Sequence, residues 1–287
     1  MKRKVVKRNT IQRKSRKSKG SGSGKRTWLN YLLGATCLFF LFCIAFHYRS
    51  GLAYYLGFKS SKAVEKRESK RLTDVRNFQL LTQYSDKVVG IDVSQYQGQI
   101  QWNKVKTIEG AFPIEFVFIR ATAGKDKVDA QFAQNWKESK QNKLLRGAYH
   151  FYRPNENSVA QAALFIKTVT LQKGDLPPIL DIESFPKNQP MDSLKAGLRR
   201  WLTKVDQHYG IKPIIYTNER YYEDFLKDDF SDFHFWIANY NFFAETMQDD
   251  WSFWQFTEKA TIDGIEGNVD VNLYNGTPKM LRYLTKP

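Results

Sequence analysis

From Val88 onward, short apolar runs alternate with amphipathic stretches. Runs at residues 88–92, 116–121, 145–151, 178–182, 213–217, 235–238, 252–256 and 269–273 are short, rich in β-branched and aromatic residues, and bounded by polar or turn-forming positions. That pattern predicts strands. Helix candidates fall between several of them, at 130–142, 158–171 and 191–209, with Asn157-Ser158 and Asp192-Ser193 as N-cap regions. About eight strands with interleaved helices predict an α/β fold, a flattened β/α (TIM-like) barrel. Little helix is predicted between the later strands, so an irregular barrel is expected.

The N-terminal portion is patterned differently. Residues 28–48 contain no acidic or basic side chain apart from His47. At about 1.5 Å per residue such a helix spans roughly 30 Å of hydrocarbon. Trp28, Tyr31 and Tyr48 sit near its ends, where amphipathic aromatics favour the headgroup layer. The polar flanks argue against a buried core helix. The run is also longer than the apolar core of a cleaved signal peptide, and no small-x-small site follows, so a retained anchor is expected. Residues 1–27 hold twelve Lys/Arg and no Asp/Glu, which places the N-terminus in the cytoplasm. The expectation is a single-pass membrane protein with its catalytic domain extracytoplasmic, periplasmic or on the cell surface. The organisation is then a basic cytoplasmic tail (1–27), a transmembrane anchor (28–48), a polar stalk (49–87) and a globular domain (88–287). The Gly-Ser alternation at 20–24 is a flexible spacer in the tail.

Charge first suggests a nucleic-acid partner, with a net +16 over 287 residues. Its location removes that suggestion. Residues 88–287 carry 24 Lys/Arg against 25 Asp/Glu, so no basic face on the globular part is implied, and no nucleic acid is expected as a partner. The two cysteines, Cys37 and Cys43, both lie in the apolar run. The globular part therefore has neither disulfides nor a thiol nucleophile. Its 200 residues are enough to bury a core without them.

Acids mark the predicted strand ends: Asp92 after the first, Asp181 and Glu183 after the fourth, Asp270 in the last. Strand ends converge on one face of a β/α barrel. Residues i and i+2 share a face, so Asp181 and Glu183 would point together. A lone Asp at a strand end is ordinarily a turn or cap residue; two acids closing a strand buried on both faces have no packing reason to be there. Neighbouring carboxyls raise each other's pKa and can leave one protonated near neutrality. That is the condition for glycosidic cleavage, in which an acid serves the leaving oxygen and a negative charge faces an oxocarbenium-like centre. Tyr149, Tyr152, Tyr216, Trp236 and Tyr240 gather near the same ends, with Gln255 and Tyr96. Flat rings stack on the C–H faces of sugars, although core packing accounts for many of the aromatics.

Read in order, Gly90-Ile91-Asp92-Val93-Ser94-Gln95-Tyr96-Gln97-Gly98 with Ile100-Gln101-Trp102 resembles the opening motif of glycoside hydrolase family 25 lysozymes. Phe118-Ile119-Arg120-Ala121-Thr122, Gly147-Ala148-Tyr149-His150-Phe151-Tyr152, Asp181-Ile182-Glu183, Ile215-Tyr216-Thr217, Trp236-Ile237-Ala238-Asn239-Tyr240, Trp254-Gln255-Phe256 and Val269-Asp270-Val271-Asn272 continue the resemblance over roughly 88–273. The stretch at 124–127 departs from the polar loop many members carry there. The resemblance implies a cofactor-free N-acetylmuramidase acting on peptidoglycan glycan strands. It implies Glu183 as general acid/base, Asp181 as the second central carboxylate, and Asp92 and Asp270 as flanking acids. It also implies retention of configuration, by the substrate's acetamido group or by a carboxylate nucleophile. The membrane would be met through the single anchor helix, and the chain would act as a monomer.

Three rival readings are distinct in kind: a non-catalytic peptidoglycan-binding module on the same barrel, a metal-dependent hydrolase of the same polymer, and a basic lipid- or nucleic-acid-binding protein acting through its tail. The second is weakened because His150, His208 and His234 form no ligand-spaced pair.

A reporter fused after Pro287 should be active only outside the cytoplasm, and full-length chain should stay with membranes through a high-salt or carbonate wash. Cytoplasmic reporter activity, or release by the wash, would contradict the anchor reading, because burial of some twenty apolar residues does not depend on screened charge.

Overall fold

The structure, a computed structural model, describes residues 34–36, 38–39, 62–241 and 246–287, with side chains in the 62–241 stretch from Lys70 onward. The chain divides into two units, Met1–Leu52 and Ala53–Pro287. In the first, residues 34–36 and 38–39 are helical; the rest of the expected anchor at 28–48, and the basic tail, lie outside the described residues. No helix among the described residues is long and apolar enough to cross a membrane. The second unit holds every described strand.

Its described elements run α1 (Lys62–Gln83), β1 (Val88–Val93), β2 (Thr107–Ile108), β3 (Phe112–Ala123), β4 (Lys127–Val128), α2 (Phe132–Gln141), β5 (Leu145–Phe151), α3 (Ser158–Thr168), β6 (Ile179–Asp181), α4 (Met191–Tyr209), β7 (Ile214–Asn218), α5 (Glu219–Tyr221), β8 (His234–Ala238), β9 (Phe253–Ala260), β10 (Val269–Tyr274) and α6 (Pro278–Tyr283). Eight of these strands close into a barrel in the order β1-β10-β9-β8-β7-β6-β5-β3, and β3 pairs back to β1. They are the eight expected from the apolar runs. Seven run parallel; β10 is antiparallel to both its neighbours, β9 and β1. As the sequence implied, helix thins out late in the barrel: α5 is one turn that widens into a π-type turn at Tyr222–Leu226, and no described helix joins β8, β9 and β10.

Strand alternation sorts side chains into two cores. On β3, Phe116 and Phe118 point into the barrel while Val117 and Ile119 face the helices. Inside, aromatic rings fill the lumen. Phe118 lies 4.6 Å from Trp236 and 5.2 Å from Phe253, and Phe253 lies 4.9 Å from Tyr274, centroid to centroid. Gly90 is required by this filling, because a Cβ there would stand 2.4 Å from the Phe116 ring. Outside, α3 and α4 bury Phe165, Leu198, Trp201 and Val205 against the sheet. Asn157 caps α3 as expected, accepting the Ala160 N–H. Asp192 and Ser193 do not cap α4; the helix has already begun at Met191, after Pro190, whose backbone is extended.

The stretch at 49–87 was expected to be a stalk outside the domain. Its last part is not. The C-terminal end of α1 lies on the barrel with Leu80, Leu81 and Asn77 buried, and Arg76 is only 7% exposed. The folded unit therefore extends N-terminal of Val88. The overall polarity of α1 hid this, since only a few apolar positions near its end make the contact.

Candidate active site

The C-terminal ends of the parallel strands surround a cleft of about 370 Å³. Asp92, Asp181, Glu183 and Asp270 all line it. Asp181 is the last residue of β6, between Phe151 of β5 and Tyr216 of β7 in register. Glu183 follows two residues on and stands at the mouth, open to solvent on one side. Asp270 reaches the same face from the start of its strand rather than the end. Because β10 runs backwards, Asp270 sits directly opposite Asp92 in the β1–β10 ladder.

A polar network fixes Asp92. Its Oδ2 accepts hydrogen bonds from Gln255 Nε2 at 2.7 Å and from Asn272 Nδ2 at 2.9 Å. Asn272 Oδ1 accepts from Trp236 Nε1 at 2.8 Å. Gln255 Oε1 accepts from the hydroxyls of Tyr216 at 2.7 Å and Tyr240. Each amide is thereby forced to turn its N–H toward the carboxyl, since its oxygen is already taken.

Burial dominates the charge chemistry. It pushes Asp92 up to about 6, with Asn272 and Gln255 pulling it back and Glu183 adding to the rise. Burial also raises Asp270 to about 9, helped by Asp92 and Glu258. Asp181 is raised well above the carboxylate range by burial and then by Glu183. Glu183 is raised by burial, while its hydrogen bond with Asp181 works the other way. Glu183 thus favours the protonated form of Asp181, and Asp181 favours the ionised form of Glu183. Oδ1 of Asp181 is buried and has no hydrogen-bond partner.

The expected substrate-binding residues divide. Tyr96, on the 3-10 turn Gln95–Gln97, is 79% exposed under the Arg120 guanidinium, and Tyr240 is 42% exposed; both offer a ring to a ligand. Tyr149 lines the cleft beside the acids. Tyr216 and Trp236 line it too, but as floor. Trp236 is 1% exposed, wedged between Phe118 and Tyr216, and leaves no open face. Their polar atoms hold Gln255 and Asn272, so a positioning role replaces the stacking expected of them. Gln255 is buried in the network. Tyr152 is a correction: it does not line the cleft. Alternation on β5 sends Tyr149 and Phe151 inward and His150 and Tyr152 outward, where Tyr152 packs against the helices beside Gly197 and Ser158.

Sequence reasoning missed Asn272, Arg120 and Glu258. Asn272 was findable, being i+2 from Asp270 and hence on the same face. Arg120 interrupts the apolar β3 and is pinned at 2.8 Å by Asp129, whose carboxylate also accepts the Gln95 N–H at 2.9 Å. His150 is buried between Thr122 and Gln161 and stacked on Trp201; burial lowers it to about 4, so it is neutral packing. No three His, Cys, Asp or Glu among the described residues are grouped to hold a metal ion.

Known proteins share this arrangement of chain. Residues 91–265 match the glycosyl hydrolases family 25. YegX of Escherichia coli strain K12 is 37% identical over 212 residues, covering 72% of this chain and 77% of that protein. Lysozyme M1 of Streptomyces globisporus is 32% identical over 209 residues, covering 68% and 70%. The solved structure of a family 25 glycosyl hydrolase from Bacillus anthracis superposes with a TM-score of 0.62 at 28% identity, covering 69% of this chain and 93% of that one.

The buried acids carry a stability cost of definite sign. Asp270 holds its proton up to about 9 in the fold, against 3.8 as its ordinary value. Between those values the folded chain binds a proton that the unfolded chain has lost, so stability falls as pH rises through the window. Asp270→Asn should therefore raise the melting temperature at pH 7, by roughly 2–4 °C per kcal/mol relieved in a domain of this size. The gain should disappear below about pH 4, where both forms are protonated in either state. A gain independent of pH would show that burial does not hold Asp270 protonated.

Proposed function

This chain belongs to glycosyl hydrolases family 25 and is a glycoside hydrolase, and from that premise we propose that it cleaves the β-1,4 bond between N-acetylmuramic acid and N-acetylglucosamine in peptidoglycan. The observation that carries the reading is the Asp181–Glu183 pair, one carboxyl on the buried floor and the other at the open mouth of the same cleft. Glu183 is placed to give its proton to the leaving oxygen, since it is the member that a ligand reaches first. Asp181, which burial keeps protonated at rest, supplies negative charge to the sugar carbon only after the pair has given up a proton. Its unpartnered Oδ1 suits a substrate N–H, which supports a retaining route through the substrate's own acetamido group. Asp92 and Asp270 surround the pair; Asp92 is held in place by Gln255 and Asn272 and, at about 6, ionises near neutrality. Tyr96 and Tyr240 supply rings for the glycan strand at the rim.

In the same proposal the chain works as a monomer on the outer face of a membrane, tethered by the 28–48 segment. The support is the twelve positive charges ahead of that segment and the near-neutral balance of residues 88–287.

Glu183→Gln keeps shape and most hydrogen bonding but removes the transferable proton. Proton transfer of this kind is worth about 10²–10⁴-fold in rate, so release of soluble fragments from purified peptidoglycan should nearly cease while glycan binding persists. Asp181→Asn should be similarly impaired, because the pair loses the carboxyl that can turn negative as positive charge develops. Folded Glu183→Gln that retained more than about a tenth of the rate, a loss too small for a missing general acid, would remove Glu183 from that role.

A further inference from the structure

Helix α1 lies outside residues 91–265, which match the family, yet its contacts fall on the strip of chain that completes the cleft. Arg76 donates from Nη1 to the Phe256 carbonyl at 2.9 Å and from Nη2 to the Asn241 carbonyl at 2.8 Å. Those carbonyls belong to the residues immediately following Gln255 and Tyr240. The Gln255 and Tyr240 side chains meet inside the cleft, hydroxyl to amide oxygen. One guanidinium therefore ties together the two residues that directly follow the partners of a cleft hydrogen bond. Tyr84, just past the end of α1, reinforces the tie. Its hydroxyl accepts the Met247 N–H at 2.8 Å, and its ring meets Trp254 edge-on at 6.1 Å. Trp254 Nε1 in turn donates to the Asn239 carbonyl at 3.0 Å. The planar guanidinium fork suits two fixed acceptors at once, which an ammonium cannot match.

We propose that Arg76 is a positioning residue of the hydrolytic site: it holds the Asn241 and Phe256 carbonyls in place so that Tyr240 stays on Gln255 and Gln255 keeps its N–H on Asp92. The proposal rests on reading the cleft as that site. It acts over two links. The loop that carries Tyr240 is tied to β9 through Arg76, and Gln255 on β9 then presents Nε2 to Asp92 at 2.7 Å. If the tie loosens, Asp92 loses a donor that favours its ionised form. Asp181, Glu183, Asp270, Tyr149, Tyr216 and Tyr240 face the carboxyl, with the charged Arg120 and Glu258 lining the same cleft. None of them donates to Asp92 Oδ2 in place of Gln255, so its protonation should move upward in pH.

The test uses the full chain with Arg76→Ala and Arg76→Lys. Hydrolysis of peptidoglycan by Arg76→Ala should fall by about ten- to a hundredfold, the scale of a small displacement of aligned groups, and the acid limb of its pH profile should move to higher pH. Arg76→Lys, which reaches one carbonyl, should recover part of the rate and part of the shift. In a Tyr240→Phe background, Arg76→Ala should cost little more, because both changes break the same link. The infrared titration of the Asp92 carboxyl, assigned by its loss in Asp92→Asn, needs no turnover and should shift upward in Arg76→Lys even if Arg76→Ala does not fold. A stationary Asp92 titration, an unmoved acid limb, or losses that multiply with Tyr240→Phe would overturn the proposal. An unsubstituted chain that cleaves no peptidoglycan would overturn the hydrolytic reading instead, and the Asp92 titration would still decide whether Arg76 positions Gln255.

Discussion

A carboxyl group taken out of water resists ionisation, and this barrel gathers four carboxyls above a lumen packed with aromatic rings, with Asp92 and Asp181 buried, Asp270 half-buried and Glu183 at the mouth. Phe118, Trp236, Phe253 and Tyr274 fill the space beneath, so the groups above cannot be hydrated from below. The consequence is a set of raised pKa values with burial as the leading cause at every acid. An acid that keeps its proton near neutrality is a donor for a leaving oxygen; a neighbour that ionises near neutrality is a counter-charge. The same floor gives the cluster both.

Keeping such a cluster ordered requires hydrogen bonds that cannot rotate away. Gln255 and Asn272 supply them because each has its oxygen already occupied, by tyrosine hydroxyls in one case and the Trp236 indole in the other. The backward run of β10 is part of the same design. A parallel eighth strand would bring its C-terminal end to the cleft, whereas the antiparallel one brings Asp270 from its start and Asn272 two residues further on. The barrel's irregular half, poor in helices, is thus where its acid network is completed, and α1 lies against that half.

Much of this was legible in the chain. The barrel strands and the helices α2, α3 and α4 followed from periodicity, and the acids announced themselves as polar ends on apolar strands. What was hidden has physical reasons. Tyr152 and Tyr149 are both aromatic residues at a strand end, and only the inward or outward sense of β5 separates them, a one-residue distinction that composition does not carry. Trp236 was legible as a cleft residue but not as a floor residue, because whether a ring has a free face depends on its neighbours across the barrel. Arg76 and the rest of α1 were read as stalk. A polar helix that docks through a few residues near one end leaves almost no periodic signal. The 28–48 segment was legible only as an anchor expectation, and it lies outside the described residues apart from 34–36 and 38–39.

The cleft retains carboxyl protons at neutral pH because Asp181 and Asp270 are held out of water. Infrared difference titration reads this directly, since a protonated carboxyl C=O absorbs apart from a carboxylate. Between about pH 5.5 and 9, above the ordinary range of Asp and Glu, wild-type chain should still show protonated carboxyl signal that falls as pH rises. Part of it should be missing in Asp181→Asn and another part in Asp270→Asn. A chain with no protonated carboxyl left above about pH 5.5 would contradict the account, whatever its activity, because an acid cluster that ionises like free Asp and Glu is not governed by the burial described here.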